Sequence, residues 1–411
     1  MPYPSPDKTI SDDNWSDLRK FKEFPDLNYD RLYKYRTKRL RAEMRKADLA
    51  ALVMVNPVSL RYAVNYSTYS LFQSRIPSTY LFMSQEGPTI IYGAYANNST
   101  LIDKFLPARP IAFFDAADNL SDNARLLAED LVRYLAEIGS DNRRVGIEYV
   151  NPSVTQACLQ KGLEVVDGIS ISEKARLIKS QDEIECIRWA IAVAELGITK
   201  MKQALKPGIT ETQLWGILNY TNLANHGEWH DGRMLAPGPR INPWLQEASQ
   251  RPIESGDLVG FDTDMVGPMG YFCDISRTFH CGPKKPSKRQ KEIYRLAYNE
   301  IQHNLQLIKP GKTFLEIQET SFPIPEECQN NAYPCILHGV GMCDEYPRIN
   351  PKHRGQNPYE GNIKEGMVLA IESYMGPIGE SNGVKLEEQI LVTKEGHEIL
   401  SSYPFEESLL E

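Results

Sequence analysis

Apolar positions fall into short runs over the first part of the chain and into helical stripes over the second. Residues 50–55 form a continuous apolar run closed by Asn56-Pro57, the pattern of a buried strand entering a turn. Residues 79–83, 89–92 and 145–149 repeat the strand pattern, and residues 123–138 between them have helical spacing. Residues 28–47 are rich in Arg and Lys with Leu and Tyr interleaved, and predict a surface helix behind an irregular arm over 1–28. Strands alternating with helices predict an α/β domain over residues 1–170. No glycine-rich phosphate loop occurs in it.

A second domain is expected over 171–411. Ser180 and Glu183 have capping-box spacing, and Ile184, Ile187, Ile191, Ile198 and Met201 follow on one helical face. A faint repeat then appears: Leu205-Lys-Pro-Gly-Ile-Thr210 returns as Ile308-Lys-Pro-Gly-Lys-Thr313. Each copy ends one amphipathic helix, starts another, and precedes an apolar strand that carries acids. Two related halves facing each other would bring those acids to a common seam.

The acids sit where acids are costly. Residues 258–264 read as a buried strand ending in Asp262 and Asp264, which strand alternation would place on one face. Asp274 lies in the returning strand over 271–279, Glu372 in the apolar strand 367–373, and Glu387 opens the strand 387–392. His338 lies in Ile336-Leu-His-Gly-Val-Gly341. Unpaired buried carboxylates cost several kcal/mol or more, and only Arg277 and Lys385 stand close in sequence. Divalent cations are the simplest partner for five acids and an imidazole. An oxygen-rich set with one nitrogen suits Fe, Mn, Co or Zn.

Composition narrows the class. The chain has 411 residues, 41% apolar and 24% charged, with a net charge of −8, which suits a soluble two-domain protein and gives no sign of a nucleic-acid partner. No apolar stretch is long enough to span a membrane, and the first residues lack the pattern of a signal peptide. Seven cysteines, an odd number with no C-x-x-C pair, predict free thiols and a cytoplasmic setting.

The elements Asp274-Ile-Ser-Arg-Thr, His338-Gly-Val-Gly, Ile371-Glu-Ser and Gly383-Val-Lys-Leu-Glu387 resemble, in content and order, the metallopeptidase family of methionine aminopeptidase, aminopeptidase P, prolidase and creatinase. The resemblance implies an α/β (α+β) fold, with a creatinase/prolidase-like N-terminal domain and a C-terminal pita-bread domain. It also implies two divalent transition-metal ions on Asp262, Asp264, Asp274, His338, Glu372 and Glu387, and a homodimer.

Two departures redirect the function. Family peptidases carry two further histidines that handle the substrate; here Trp244 and Glu345 stand in those places. Stretches such as Gly227-Glu-Trp229, Asn242-Pro-Trp244 and His338-Gly-Val-Gly-Met-Cys-Asp-Glu345 resemble the branch of dimethylsulfoniopropionate lyases. That resemblance implies Asp344 as the base of a β-elimination and Tyr333 as a pocket wall, with iron first among the metals and zinc or manganese as alternatives. The substrate would be a small sulfonium carboxylate, whose cation would rest on aromatic faces, with Trp244, Tyr69 and Phe72 as further candidates. Phe72 replaces a Trp of that branch. An altered Xaa-Pro peptidase and a non-catalytic relative are the competing readings.

Overall fold

A computed structural model describes residues 25–94, 99–355 and 359–411; most of the arm read over 1–28 lies outside them. The first sheet contains β1 (Ala51–Met54), β2 (Tyr80–Ser84), β3 (Ile90–Tyr92), β4 (Lys104–Leu106), β5 (Arg144–Ile147) and β6 (Glu164–Asp167), in the order β4-β3-β2-β1-β5-β6. All four residues of β1 are buried, as its unbroken apolar run requires of a central strand. The helix Leu120–Glu137 lays Leu127, Leu131 and Leu135 into the core on one side of this sheet.

The helix expected at 28–47 runs over Tyr29–Lys46, capped by the Asn28 side chain, and buries one face while the other stays exposed. Leu32, Leu40 and Met44 are buried, and so is Arg36. The Arg36 guanidinium lies 5.3 to 5.8 Å from the ring centres of Tyr33, Tyr62 and Tyr271. It is also 3.8 Å from Glu183 at the start of the next region. Rings and a carboxylate thus absorb a buried cation.

The helix Gln181–Ala204 opens the second region with the expected capping box between Ser180 and Glu183. After the helix Glu211–Ala224 come β7 (Trp229–His230), β8 (Leu235–Pro237), β9 (Leu258–Asp262), β10 (Met265–Val266), β11 (Phe272–Cys273) and β12 (Ser276–His280). They form two small sheets, β12-β9-β8 and β11-β10-β7. The helices Lys288–Leu307 and Phe314–Thr320 lead to β13 (Leu337–Val340), β14 (Asp344–Ile349), β15 (Val368–Met375), β16 (Val384–Val392) and β17 (His397–Ile399). These make a five-stranded sheet ordered β14-β13-β15-β16-β17.

The sequence repeat is a structural one. Thr210 and Thr313 each cap a helix through a capping box. Gly208 and Gly311 each take a positive φ, at 95° and 88°. Each donates its N–H to an isoleucine carbonyl, Ile253 at 2.8 Å and Ile363 at 2.9 Å. A second left-handed glycine follows in each copy, Gly256 and Gly366, and the acids Asp262 and Glu372 lie equally far beyond it. The halves meet where the Thr278 hydroxyl donates to the Lys385 carbonyl and accepts from the Lys385 N–H, at 2.8 and 3.0 Å.

Candidate metal centre and adjoining cavity

The long β15–β16 ladder places Glu372 directly opposite Glu387, so two carboxylates share one face of a regular hairpin. Glu387 therefore stands mid-strand rather than opening its strand. In the first copy β9 ends at Asp262, paired with Ser276. The expected extended run from Asp262 to Asp264 is broken: Asp264 has φ 36°, a left-handed conformation that Asp tolerates better than most residues. The strand expected over 271–279 is also split, with Asp274 between β11 and β12. Its N–H donates to the Gln389 side chain at 3.0 Å. The Thr263 hydroxyl donates to the Cys273 carbonyl and accepts from the Ile275 N–H, bracketing Asp274. His338 comes from β13 beside a bulge, next to Ala370 of β15.

The side chains converge on the seam. His338 Nε2 lies 3.5 Å from Asp274, 3.4 Å from Glu372 and 3.9 Å from Glu387. Potential ligand atoms fall into three groups: Asp262, Asp274 and Glu387; His338, Glu372 and Glu387; and Asp274, His338 and Asp344. Asp264 joins none of these groups. Lys385, fully buried, reaches Asp262 at 3.0 Å, Glu372 at 2.6 Å and Glu387 at 3.4 Å. Arg277, the other cation named from sequence, is engaged elsewhere: it pairs with Glu388 at 2.8 Å and donates to the Glu387 carbonyl at 2.6 Å.

Charge is unbalanced here. Burial pushes the Asp274 carboxyl well above the usual range, and Glu387 and Asp262 push it further. Burial followed by Asp262 does the same to Glu387, and burial, Asp262 and Asp344 raise Asp264. Burial is the largest single influence on Asp262 too, but Lys385 together with hydrogen bonds to Glu387 and Ser276 outweighs it and holds that carboxyl down. One carboxylate oxygen each of Asp262, Asp274 and Glu387 is buried with no hydrogen-bond partner. Orphaned buried oxygens are costly, and hard or borderline divalent cations are what such an oxygen-rich set accepts. The residues therefore fit a pair of metal ions.

Beside the centre opens a cavity of about 450 Å³ lined by Tyr333, His338, Asp344, Tyr346, Arg348 and Tyr359, among others. Asp344, with a side chain 64% exposed, lies 3.5 Å from His338 Nδ1. The Tyr333 ring centre stands 4.5 Å from the Lys385 ammonium. Trp244, Tyr69 and Phe72 are not on this wall. Trp244 is buried against Tyr374, with ring centres 5.9 Å apart. Tyr69 and Phe72 stack on each other at 4.7 Å and line a separate cavity with Phe114. Tyr346 and Tyr359, their rings 5.2 Å apart, were missed from sequence. Strand alternation from Asp344 through Tyr346 to Arg348 was the available signal for the first; Tyr359 had none.

Comparison with known proteins decides the family. Residues 185–394 match the model of metallopeptidase family M24, and residues 36–178 match the creatinase/prolidase N-terminal domain. The chain belongs to metallopeptidase family M24. Members of that family are enzymes with paired metal ions. Among curated proteins, the dimethylsulfoniopropionate lyase DddP of Roseovarius nubinhibens is 32% identical, covering 94% of this chain and 89% of the relative. DddP of Roseobacter denitrificans is 31% identical over the same shares. Among solved structures, an Xaa-Pro dipeptidase from Bacillus anthracis superposes with a TM-score of 0.71 at 21% identity, covering 91% of this chain and 99% of that one. The fold is thus that of the prolidases, with the pita-bread second domain that the sequence implied. Among the described residues no helix is long and apolar enough to cross a membrane.

Proposed function

We propose that this protein is a dimethylsulfoniopropionate lyase that forms dimethyl sulfide and acrylate by β-elimination. The two lyase relatives support the reading. The observation that carries it is Asp344, an exposed carboxylate on the cavity wall 3.5 Å from His338. Asp344 accepts the proton from the carbon next to the substrate carboxylate. The electron pair left behind forms the carbon–carbon double bond as the carbon–sulfur bond breaks. Sulfur keeps the electrons of that bond and departs as neutral dimethyl sulfide, so no group need protonate it. Asp344 then passes its proton to solvent.

The sulfonium rests on the Tyr333 face, a contact worth roughly 0.5–2 kcal/mol. Trp244 supports the site from behind β9, packed at Gly260. Tyr69 and Phe72 serve this cavity only across a homodimer. Asp262, Asp264, Asp274, His338, Glu372 and Glu387 would hold two divalent ions, iron first to test and zinc or manganese next. Bound there, such ions supply electrostatic stabilisation for the charge that develops beside the substrate carboxylate.

The Xaa-Pro peptidase alternative has the prolidase fold behind it. However, Trp244 is packed in the core and Glu345 is locked by two cations, so neither replaces a substrate-handling histidine. A non-catalytic role is at odds with the intact acid set. The test is headspace detection of dimethyl sulfide from dimethylsulfoniopropionate, beside a panel of proline dipeptides. Asp344→Ala is expected to lower sulfide release by about 100-fold or more with metal content unchanged. Dipeptide cleavage without sulfide release would overturn the proposal.

A further inference from the structure

We infer that Glu345 is the positioning residue for Asp344, fixing the tip of the β13–β14 hairpin through a buried charge clamp to the segment that joins the first sheet to the second region. The inference rests on reading Asp344 as the base. Adjacent residues of a strand face opposite ways. Asp344 accordingly meets the cavity, whereas the side chain of Glu345 is fully buried. Its two oxygens take Arg176 Nε at 2.8 Å and Lys179 Nζ at 2.9 Å, and both cations are themselves almost fully buried. A third donor is the Met342 N–H at 3.0 Å, in the turn between the two strands. The carboxylate packs so closely on this turn that a Cβ at Gly341 would lie 2.4 Å from its oxygens.

The clamp extends to both sides of Asp344. The Tyr346 N–H donates to Glu173 at 2.8 Å, and Glu173 lies 3.5 Å from Arg176. The Lys179 N–H donates to the Gly366 carbonyl at 2.9 Å, tying the same segment to the turn that leads into β15 and Glu372. Two acids and two cations therefore balance in a largely buried group whose partners come from three places in the chain. Burial works to raise the Glu345 carboxyl, and Lys179 and Arg176 overcome it. A group of this kind is a poor source of net stability, because apolar residues of similar volume do as well. What it provides is a defined position, since each donor fixes one direction of the carboxylate. Asp344 has no comparable anchor on its own side chain and inherits its place from its neighbour.

The test removes the clamp without stranding a charge. Glu345→Gln alone leaves two buried cations facing a single acid, so the variant to make is Glu345→Gln with Lys179→Met, in which Arg176 and Glu173 still balance. Its kcat is expected to fall about 30-fold or more with KM within about three-fold and metal content unchanged, since misplacement by ~1 Å near a reacting group costs on the order of 100-fold. Adding Asp344→Asn to this variant should cost far less than it costs the wild type, because both changes then disable one function. A folded, metal-loaded double variant with wild-type kcat overturns the inference, and so do effects of Glu345 and Asp344 that simply multiply. Wild-type amide exchange decides the matter if the variant does not fold. Slow exchange at Met342 and Tyr346 is expected, and fast exchange at both overturns the clamp. A wild type that releases no sulfide sinks the lyase reading instead, leaving the exchange measurement to judge the clamp.

Discussion

The two copies of the helix–turn–helix–strand unit begin alike and finish differently. Both have a left-handed glycine before a capping threonine and another before the acid-bearing strand. Beyond that point the second copy runs on as a long regular hairpin, with Glu372 and Glu387 facing each other across an unbroken ladder. The first copy stops at Asp262, turns through Asp264 at positive φ, and supplies Asp274 from a gap between two short strands. One half places acids by regular pairing. The other places them by breaking the pairing and stitching the gap with Thr263 and Gln389. A seam built in this way has one rigid wall and one whose shape depends on a few side chains.

Substitutions at the two walls separate these modes. The largest effect is expected at the regular one: Glu372→Gln or Glu387→Gln should remove bound metal and most sulfide release. The loss should exceed the ~100-fold that follows removal of an outer partner of a ligand. Elemental analysis beside headspace detection checks it, and full metal content in either variant would break the comparison. Asp264→Asn should be milder, because Asn keeps both the size and the tolerance for positive φ. Metal retention should weaken on the order of 10-fold while the melting temperature holds. A melting temperature that falls as far as that of Thr263→Val, which cuts the stitch, would show that Asp264 is structural first.

Part of this architecture is legible in the sequence. The capping residues, the repeated Lys-Pro-Gly turn and the apolar strands carrying acids are local signals, and the structure keeps them. Asp262, Asp274, Glu372 and Glu387 stand out because a buried acid needs a reason wherever it occurs, and His338 joins them as the histidine of an apolar, glycine-rich run. The break at Asp264 was not visible, because alternation describes a strand that continues and cannot say where one stops. The burial of Arg36 within its helix carries no local signal, because two of its ring partners, Tyr62 and Tyr271, are remote in sequence. The cavity wall is hard to read in the sequence for the same reason. Trp244 shares a sequence neighbourhood with the site but fills core beside Tyr374, while Tyr359 reaches the cavity from a loop with no pattern of its own.

Smaller effects test whether the two copies are equivalent where they look alike. A Cβ at Gly256 would meet the flexible end of Lys284 at 2.8 Å, whereas at Gly366 it would meet the branched Ile178 at the same distance. Gly366→Ala should therefore cost about 1–3 kcal/mol more than Gly256→Ala in denaturant unfolding. Equal costs would mean that Ile178 yields as readily as a lysine tail. Gly208→Ala and Gly311→Ala both place the methyl in open space, so only the backbone penalty remains, about 1 kcal/mol in each copy. Unequal values there would show that the shared punctuation conceals different turns.

Lys385 has a consequence for how the protein is made. Its ammonium touches acids from both halves and stands among the carboxylates assigned to the metals. Small domains whose only charge balance is the metal itself stay unfolded until it arrives. Here the seam carries a counter-ion of its own, which balances part of its charge without metal. Folding is then expected to precede metal uptake, and a cooperative unfolding transition of the metal-free protein checks it.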